Sequence, residues 1–237
     1  MKKLFVLSSA INSKFGKFDP AERLQQTLDS VASIRKYCPD ADVCLVEMTG
    51  VPISDEQIEI INDQVDYFFD CTRDQAVIDI YNSTDNWDIV KNTTEVMCFT
   101  NTLNTMIETG VLKEYDRVFK MSGRYLLTEN FNPSFYESVA DRIVVLERKH
   151  SQFPPEVTGG KQFQYMSRLW SWPSTITEQI VDAYNEGFMA MAVRYAEGGY
   201  FDIEHMLYAY LPKDLVTEIP RVGLRGLLGP NGVAIED

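Results

Sequence analysis

Apolar residues follow two rhythms along this chain. Short unbroken runs end at polar or glycine-bearing turns: Lys3–Leu7, Asp42–Glu47 (DVCLVE), Val65–Phe69, Arg117–Met121 and Arg142–Leu146 (RIVVL). Runs of this kind predict buried strands. Gln164–Trp172 carries aromatics at alternate positions and predicts another strand. The second rhythm is helical. Leu24, Leu28, Val31, Ile34 and Cys38 recur at spacings of three and four, which predicts an amphipathic helix over Pro20–Tyr37. Asp19, Pro20 and Glu22 supply its N-cap, first-turn proline and capping-box acid, and Pro39-Asp40 ends it. Val96, Phe99, Leu103 and Met106 predict a helix from Asn92 to Thr109, stopped near Gly110. Ile176, Ile180, Tyr184, Phe188, Met191 and Tyr195 predict a long one from Pro173 to Ala196, broken by Gly198-Gly199. Shorter helices are expected after Ser54, after Asn132 and from Asp202 to about Leu211. Thr72–Asp88 is polar and predicts a long loop of the kind that lines active sites. The tail, Val216–Glu236, is strand-like but interrupted by Gly223, Gly226, Gly229 and Gly232.

A strand, a helix and a second strand in that order make a βαβ unit. The expectation is therefore an α/β fold with a mostly parallel central sheet flanked by helices. No repeat, linker or composition break divides the 237 residues, so one domain over 1–237 is expected. With 45% apolar residues the chain can build its core without disulfides. The net charge of −13 opposes a broad nucleic-acid or anionic-membrane surface, because summed negative potential repels phosphates. The four cysteines, Cys38, Cys44, Cys71 and Cys98, are scattered without Cys-x-x-Cys and suit a reduced, cytoplasmic protein. The apolar run Leu4–Leu7 is too short for a signal peptide, and no run approaches the ~18 residues of a membrane span.

Candidate chemistry gathers where a parallel sheet places ligands, beyond the carboxyl ends of its strands. Ser8, Ser9 and Asn12 follow the first strand, with Arg23 on the next helix. Lys120, Ser122, Gly123 and Arg124 end another strand in a small turn flanked by cations, which suits an anionic ligand. Asp202, Glu204 and His205 open a helix after a double glycine. Each group also has a plain structural use. The serines can satisfy backbone groups, and Arg23 can be a solvated helix residue. Lys91 and Glu95 can form a surface i,i+4 pair. Asp202 and Glu204 can serve the helix start, and His205 can be a packed core residue. There is no Gly-x-Ser-x-Gly, no P-loop and no Gly-x-Gly-x-x-Gly after the first strand. Two histidines offer no zinc set, so no metal ligands are assigned.

Several of these motifs, in this order, resemble the GT-A-fold (Rossmann-like) nucleotide-sugar glycosyltransferases. The resemblance rests on Arg23-x-x-Gln26-Thr27-Leu28-x-Ser30-Val31-x-Ser33-Ile34-Arg35, Pro39 and the strand to Glu47. It continues through Lys91-x-x-x-Glu95, Phe119-Lys120-x-Ser122-Gly123-Arg124-Tyr125 and Glu204-His205. The closing Val222-Gly223-x-x-Gly226-x-x-x-Pro230-x-Gly232 resembles the tail of small bacterial and phage transferase-like proteins. The resemblance implies transfer of a sugar from a UDP- or GDP-type donor to a carbohydrate or other hydroxyl acceptor. The donor would lie over Ser8, Ser9, Asn12 and Arg23, with Lys91 and Glu95 nearby and the diphosphate near Lys120, Ser122, Gly123 and Arg124. Glu204 would be general base, with Asp202 second and His205 beside them. Such enzymes commonly hold Mn²⁺ or Mg²⁺ on Asp-x-Asp; here that position reads Ser122-Gly123-Arg124, which leaves the divalent metal open. The alternatives are a nucleotide-sugar-binding protein without transfer, a nucleotidylyltransferase, and a phage DNA-modifying sugar transferase.

Overall fold

The computed structural model describes residues 1–228 and 231–237. In chain order the elements begin with β1 (Lys3–Ser9), α1 (Pro20–Tyr37), β2 (Ala41–Glu47), α2 (Asp55–Asn62), β3 (Tyr67–Asp70) and α3 (Gln75–Ser83). They continue with α4 (Trp87–Glu108), β4 (Arg117–Ser122), β5 (Tyr125–Leu127), α5 (Pro133–Ser138), β6 (Ile143–Leu146), β7 (Lys149–His150) and β8 (Phe163–Gln164). They close with β9 (Leu169–Pro173), α6 (Thr177–Ala196), α7 (Ile203–Tyr210), β10 (Val216–Ile219), β11 (Leu224–Leu227) and β12 (Ala234–Glu236).

Seven strands form the central sheet in the order β10-β6-β9-β4-β1-β2-β3. Pairing is parallel throughout except at β9, which runs antiparallel between β4 and β6. Alternate side chains of β1 enter opposite core layers. Leu4 and Val6 pack with Phe99, Trp172 and Tyr184, while Phe5 and Leu7 pack with Val31, Ile34, Phe119 and Tyr136. The register sets Ser8 level with Val46 and Ser122, and Ser9 level with Glu47. The carboxyl ends of β1, β2 and β4 therefore share one edge of the sheet.

Four expectations are corrected. The polar stretch Thr72–Asp88 is largely helical rather than a loop. Asp74 accepts from the Ala76 amide to cap α3, and Val77 and Tyr81 are buried from it. Asn86 accepts from the Asp88 and Ile89 amides, so α4 starts at Trp87 rather than Asn92. The strand expected over Gln164–Trp172 is interrupted between β8 and β9, and that interval reaches the site described below. The buried face of α1 is also more polar than its leucine spacing implied: Arg23, Thr27, Ser30 and Ser33 are buried, while Leu24 and Leu28 are half-buried. Thr27 Oγ1 donates to the Gly123 carbonyl at 3.1 Å and Ser33 Oγ accepts from the Leu127 amide at 3.0 Å. Hydrogen bonds thus join α1 to the β4–β5 turn where apolar contact was expected.

In the tail, β11 pairs antiparallel with both β5 and β12. Gly229 and Pro230 of the tail pattern lie outside the described residues. No helix among the described residues is long and apolar enough to cross a membrane.

Candidate active site

A cavity of about 600 Å³ opens at the edge formed by the ends of β1, β2 and β4. Ten of the expected residues line it: Ser8, Ser9, Arg23, Lys91, Glu95, Ser122, Gly123, Arg124, Asp202 and Glu204. Asn12, Lys120 and His205 do not.

Lys120 is 1% exposed. An ammonium has three N–H donors, and those of Lys120 go to Glu95 Oε1 at 2.6 Å, Ser167 O at 2.9 Å and Ser122 Oγ at 3.0 Å. It has no donor left for a diphosphate. It instead fixes Glu95, which also accepts from Ser8 Oγ at 3.0 Å. Burial works to raise the Glu95 pKa, but the charges of Lys120 and Lys91 and the bonds from Lys120 and Ser8 bring it down to about 2.

The turn after β4 is also internally satisfied. The Gly123 amide donates to Ser8 O at 2.8 Å, and the Arg124 amide donates to Ser122 O at 2.9 Å. A Cβ on Gly123 would sit 3.1 Å from Ser8 O, so glycine permits this close approach to β1. The turn presents no free amides to an anion; what it presents is the Arg124 side chain. Among the described residues Arg124 forms no ion pair, and its Nε is buried without a hydrogen-bond partner. Its guanidinium lies over the Tyr125 ring at 5.6 Å.

Arg23 and Asn12 organise the loop between β1 and α1. Arg23 donates to Phe18 O at 2.9 Å, Ala10 O at 3.1 Å and Phe15 O at 2.5 Å. Asn12 turns away from the cavity and bonds Pro52 O and Gln57 Oε1 at the start of α2. Ser9 Oγ donates to Glu47 Oε2 at 2.6 Å, so both serines spend their protons on carboxylates.

At the opposite wall, Asp202 is the N-cap of α7. Its Oδ1 accepts from the His205 amide at 2.9 Å and meets His205 Nδ1 at 2.6 Å. Nε2 of that fully buried ring contacts Ser151 Oγ at 2.9 Å. His205 therefore holds Asp202 and does not itself face the cavity. Burial would raise the Asp202 carboxyl, but its bonds and charge interaction with His205 prevail and lower it. A carboxylate stabilised in this way is a weak proton acceptor. Glu204, half-buried on the first turn of α7, is less engaged: Ser167 Oγ donates to its Oε1 at 2.6 Å. Ser167 belongs to the interval between β8 and β9, which also supplies the carbonyl bound by Lys120.

Lys91 enters the cavity from α4. Burial lowers its pKa, but Glu204, Glu95 and Asp202 outweigh that and raise it, so the cation persists. Asp88, one turn earlier, was not expected because its stretch reads as a loop. Burial raises its pKa, Lys91 opposes this, and the charges of Asp202 and Glu204 add to the rise. Trp87, Phe153 and Tyr200 were also missed; all three line the cavity. The asparagine cap before Trp87 is the one sequence signal that could have placed Trp87 and Asp88 at a helix start. The cavity thus joins two cations, Lys91 and Arg124, neither of which forms an ion pair within 4 Å among the described residues, to the carboxylates Asp88, Glu95, Asp202 and Glu204.

The chemistry of the β4–β5 turn does not fit a divalent cation. It offers one hydroxyl, already accepting from Lys120, and a guanidinium. No group of three or more His, Cys, Asp or Glu side chains among the described residues is placed to hold a metal ion.

No protein-family model matches the sequence. A search of curated proteins finds no match. Solved structures do resemble the fold. One is core-mannan synthase A (CmsA/Ktr4) from Aspergillus fumigatus in its Mn/GDP form, with TM-score 0.54 and 9% identity over 91% of this chain and 72% of that one. Another is mouse xyloside xylosyltransferase 1, apo form, with TM-score 0.51 and 10% identity over 92% of this chain and 85% of that one. The fold is that of the GT-A glycosyltransferases, as the sequence resemblance implied.

Proposed function

We propose that this chain is a glycosyltransferase, one domain over residues 1–237, that moves a sugar from a nucleoside-diphosphate sugar to an acceptor hydroxyl. The observation that carries the reading is one cavity lined by two cations, Lys91 and Arg124, together with the carboxylate of Glu204. In the proposed reaction Glu204 accepts the proton of the acceptor hydroxyl. The acceptor oxygen bonds to the anomeric carbon as the bond to the diphosphate oxygen breaks, with inversion. Charge grows on the leaving diphosphate, and prepositioned cations stabilise it more in the transition state than in the ground state. Arg124 suits this by bidentate contact and Lys91 by its point charge. No step is assigned to a metal, because the Ser122-Gly123-Arg124 turn carries a cation where Asp-x-Asp would carry anions.

A thermal-shift titration with UDP, GDP and the parent nucleosides, in EDTA and in Mn²⁺, tests the reading. A ligand at 100 times its dissociation constant adds about 2.7 kcal/mol of stability. Diphosphate binding should survive EDTA. Arg124→Ala should weaken it by about 1.5–3 kcal/mol, the worth of a charge-assisted contact, and leave nucleoside binding nearly unchanged. Equal losses for nucleoside and diphosphate, or binding that appears only with Mn²⁺, would remove Arg124 from the proposed role.

A further inference from the structure

The carboxylate side of the cavity carries aromatic surface that the proposed chemistry does not use. Trp87 is 38% exposed and Phe153 39% exposed, and they are the two exposed aromatics among the large apolar residues at the described surface. Both line this one cavity. Phe153 packs over Tyr200 with ring centroids 4.1 Å apart and planes 35° from parallel, so Tyr200 backs the Phe153 ring at the cavity. A partly exposed aromatic ring at a cavity offers a ligand a flat apolar face.

The charged groups beside these rings are mainly acidic: Asp88, Asp202 and Glu204 face one cation, Lys91, whose Nζ lies 6.0 Å from the Trp87 ring centroid. Burial raises the Asp88 carboxyl, adjacent to Trp87, and the charges of Asp202 and Glu204 add to the rise against Lys91. Flat apolar faces with several carboxylate acceptors nearby complement a pyranose: its C–H face lies on a ring and its hydroxyls donate to carboxylates. The same carboxylates repel an anionic group held among them. We infer that Trp87 and the Phe153–Tyr200 pair form the acceptor platform, and that the acceptor is a neutral sugar rather than a uronic acid, a phosphorylated sugar or a nucleic acid. The inference rests on the glycosyltransferase reading for the word acceptor, but the binding it states is measurable without transfer.

The experiment is saturation-transfer NMR and calorimetry with the full chain, first alone and then saturated with UDP or GDP. The probes are methyl glycosides of neutral hexoses and of their disaccharides, and the corresponding methyl uronides. Methyl aglycones ensure that any stacking is by the sugar ring. Neutral glycosides should bind, with the strongest transfer to protons of one ring face, and the uronides about tenfold or more weaker. Trp87→Ala and Phe153→Ala should each weaken glycoside binding by about tenfold, the order of an aromatic contact. Both should leave nucleoside diphosphate affinity within about twofold. Equal or tighter binding of uronides overturns the inference. So do glycoside affinities untouched by both substitutions, or diphosphate binding with no glycoside bound. Failure of nucleoside diphosphates to bind, with neutral glycosides still held on Trp87 and Phe153, would instead overturn the donor assignment and leave the platform standing.

Discussion

Lys120→Met is expected to lower folding stability by about 3–5 kcal/mol, because it leaves Glu95 as a buried charge without its principal partner. The substitution also strips a donor from Ser122 Oγ and from the Ser167 carbonyl. Chemical denaturation of the variant checks the loss, and Lys120→Met combined with Glu95→Gln should recover part of it. Acid titration gives an independent readout. Glu95 falls from an ordinary 4.5 to about 2 in the folded chain, a contribution of about 3 kcal/mol. Its folded pKa is depressed, so this stability is present above about pH 4.5 and is lost as pH falls towards 2. Glu47, raised by burial against the bonds from Ser9, Thr49 and Ile11, acts in the opposite sense. Comparing the wild type with Glu95→Gln isolates the Glu95 part. A Lys120→Met protein as stable as the wild type would show that the ion pair does not hold this edge of the sheet. Nucleoside diphosphate affinity supplies the contrast with Arg124→Ala: Lys120→Met should cost stability, Arg124→Ala binding.

Lys120 and Arg124 also show how far the sequence could be read. Both are cations flanking the same glycine turn, and the sequence alone treats them alike. Strand alternation separates them. Lys120 lies within β4, where its side chain enters the interior and meets Glu95 from α4, a partner 25 residues away in the chain and invisible to local spacing. Arg124 follows the turn and reaches the cavity. The mostly parallel sheet flanked by helices was legible because buried strands and capped helices leave local signals, whereas the strand order and the antiparallel β9 were not. The polar face of α1 was not, since Thr27 and Ser33 find their partners only after β4 and β5 have docked. Asp88 and Trp87 were hidden by a sequence that reads as loop until Asn86 caps α4. At the α7 start, both readings of Asp202 were available from the sequence, capping and chemistry. The structure shows the capping, with His205 behind it, and this keeps Glu204, the first candidate from the sequence, ahead of Asp202 as the proposed base.

Glu204→Gln is expected to reduce turnover by about 10²–10⁴-fold, the usual contribution of a positioned general base. Glutamine keeps the size of the side chain and can still accept from Ser167 Oγ, but it cannot take a proton. Deprotonation of the acceptor belongs to the transition state, so donor affinity should hardly change and the loss should appear in kcat. Removing this carboxylate also removes the strongest of the charges that keep Lys91 protonated against burial; the remaining Glu95 and Asp202 still favour the cation, and a small weakening of diphosphate binding is the expected side effect. Asp202→Asn serves as the comparison. Asparagine remains a good N-cap, but the substitution removes the charge facing His205 Nδ1 at 2.6 Å. It should therefore lower the melting temperature more than Glu204→Gln does, and turnover less. Transfer assays with the best-binding glycoside as acceptor, together with melting curves on both variants, separate the cases. Full turnover in Glu204→Gln would take the proton-accepting role away from Glu204. Asp88, a cavity carboxylate whose pKa burial raises, would then be the next base to substitute.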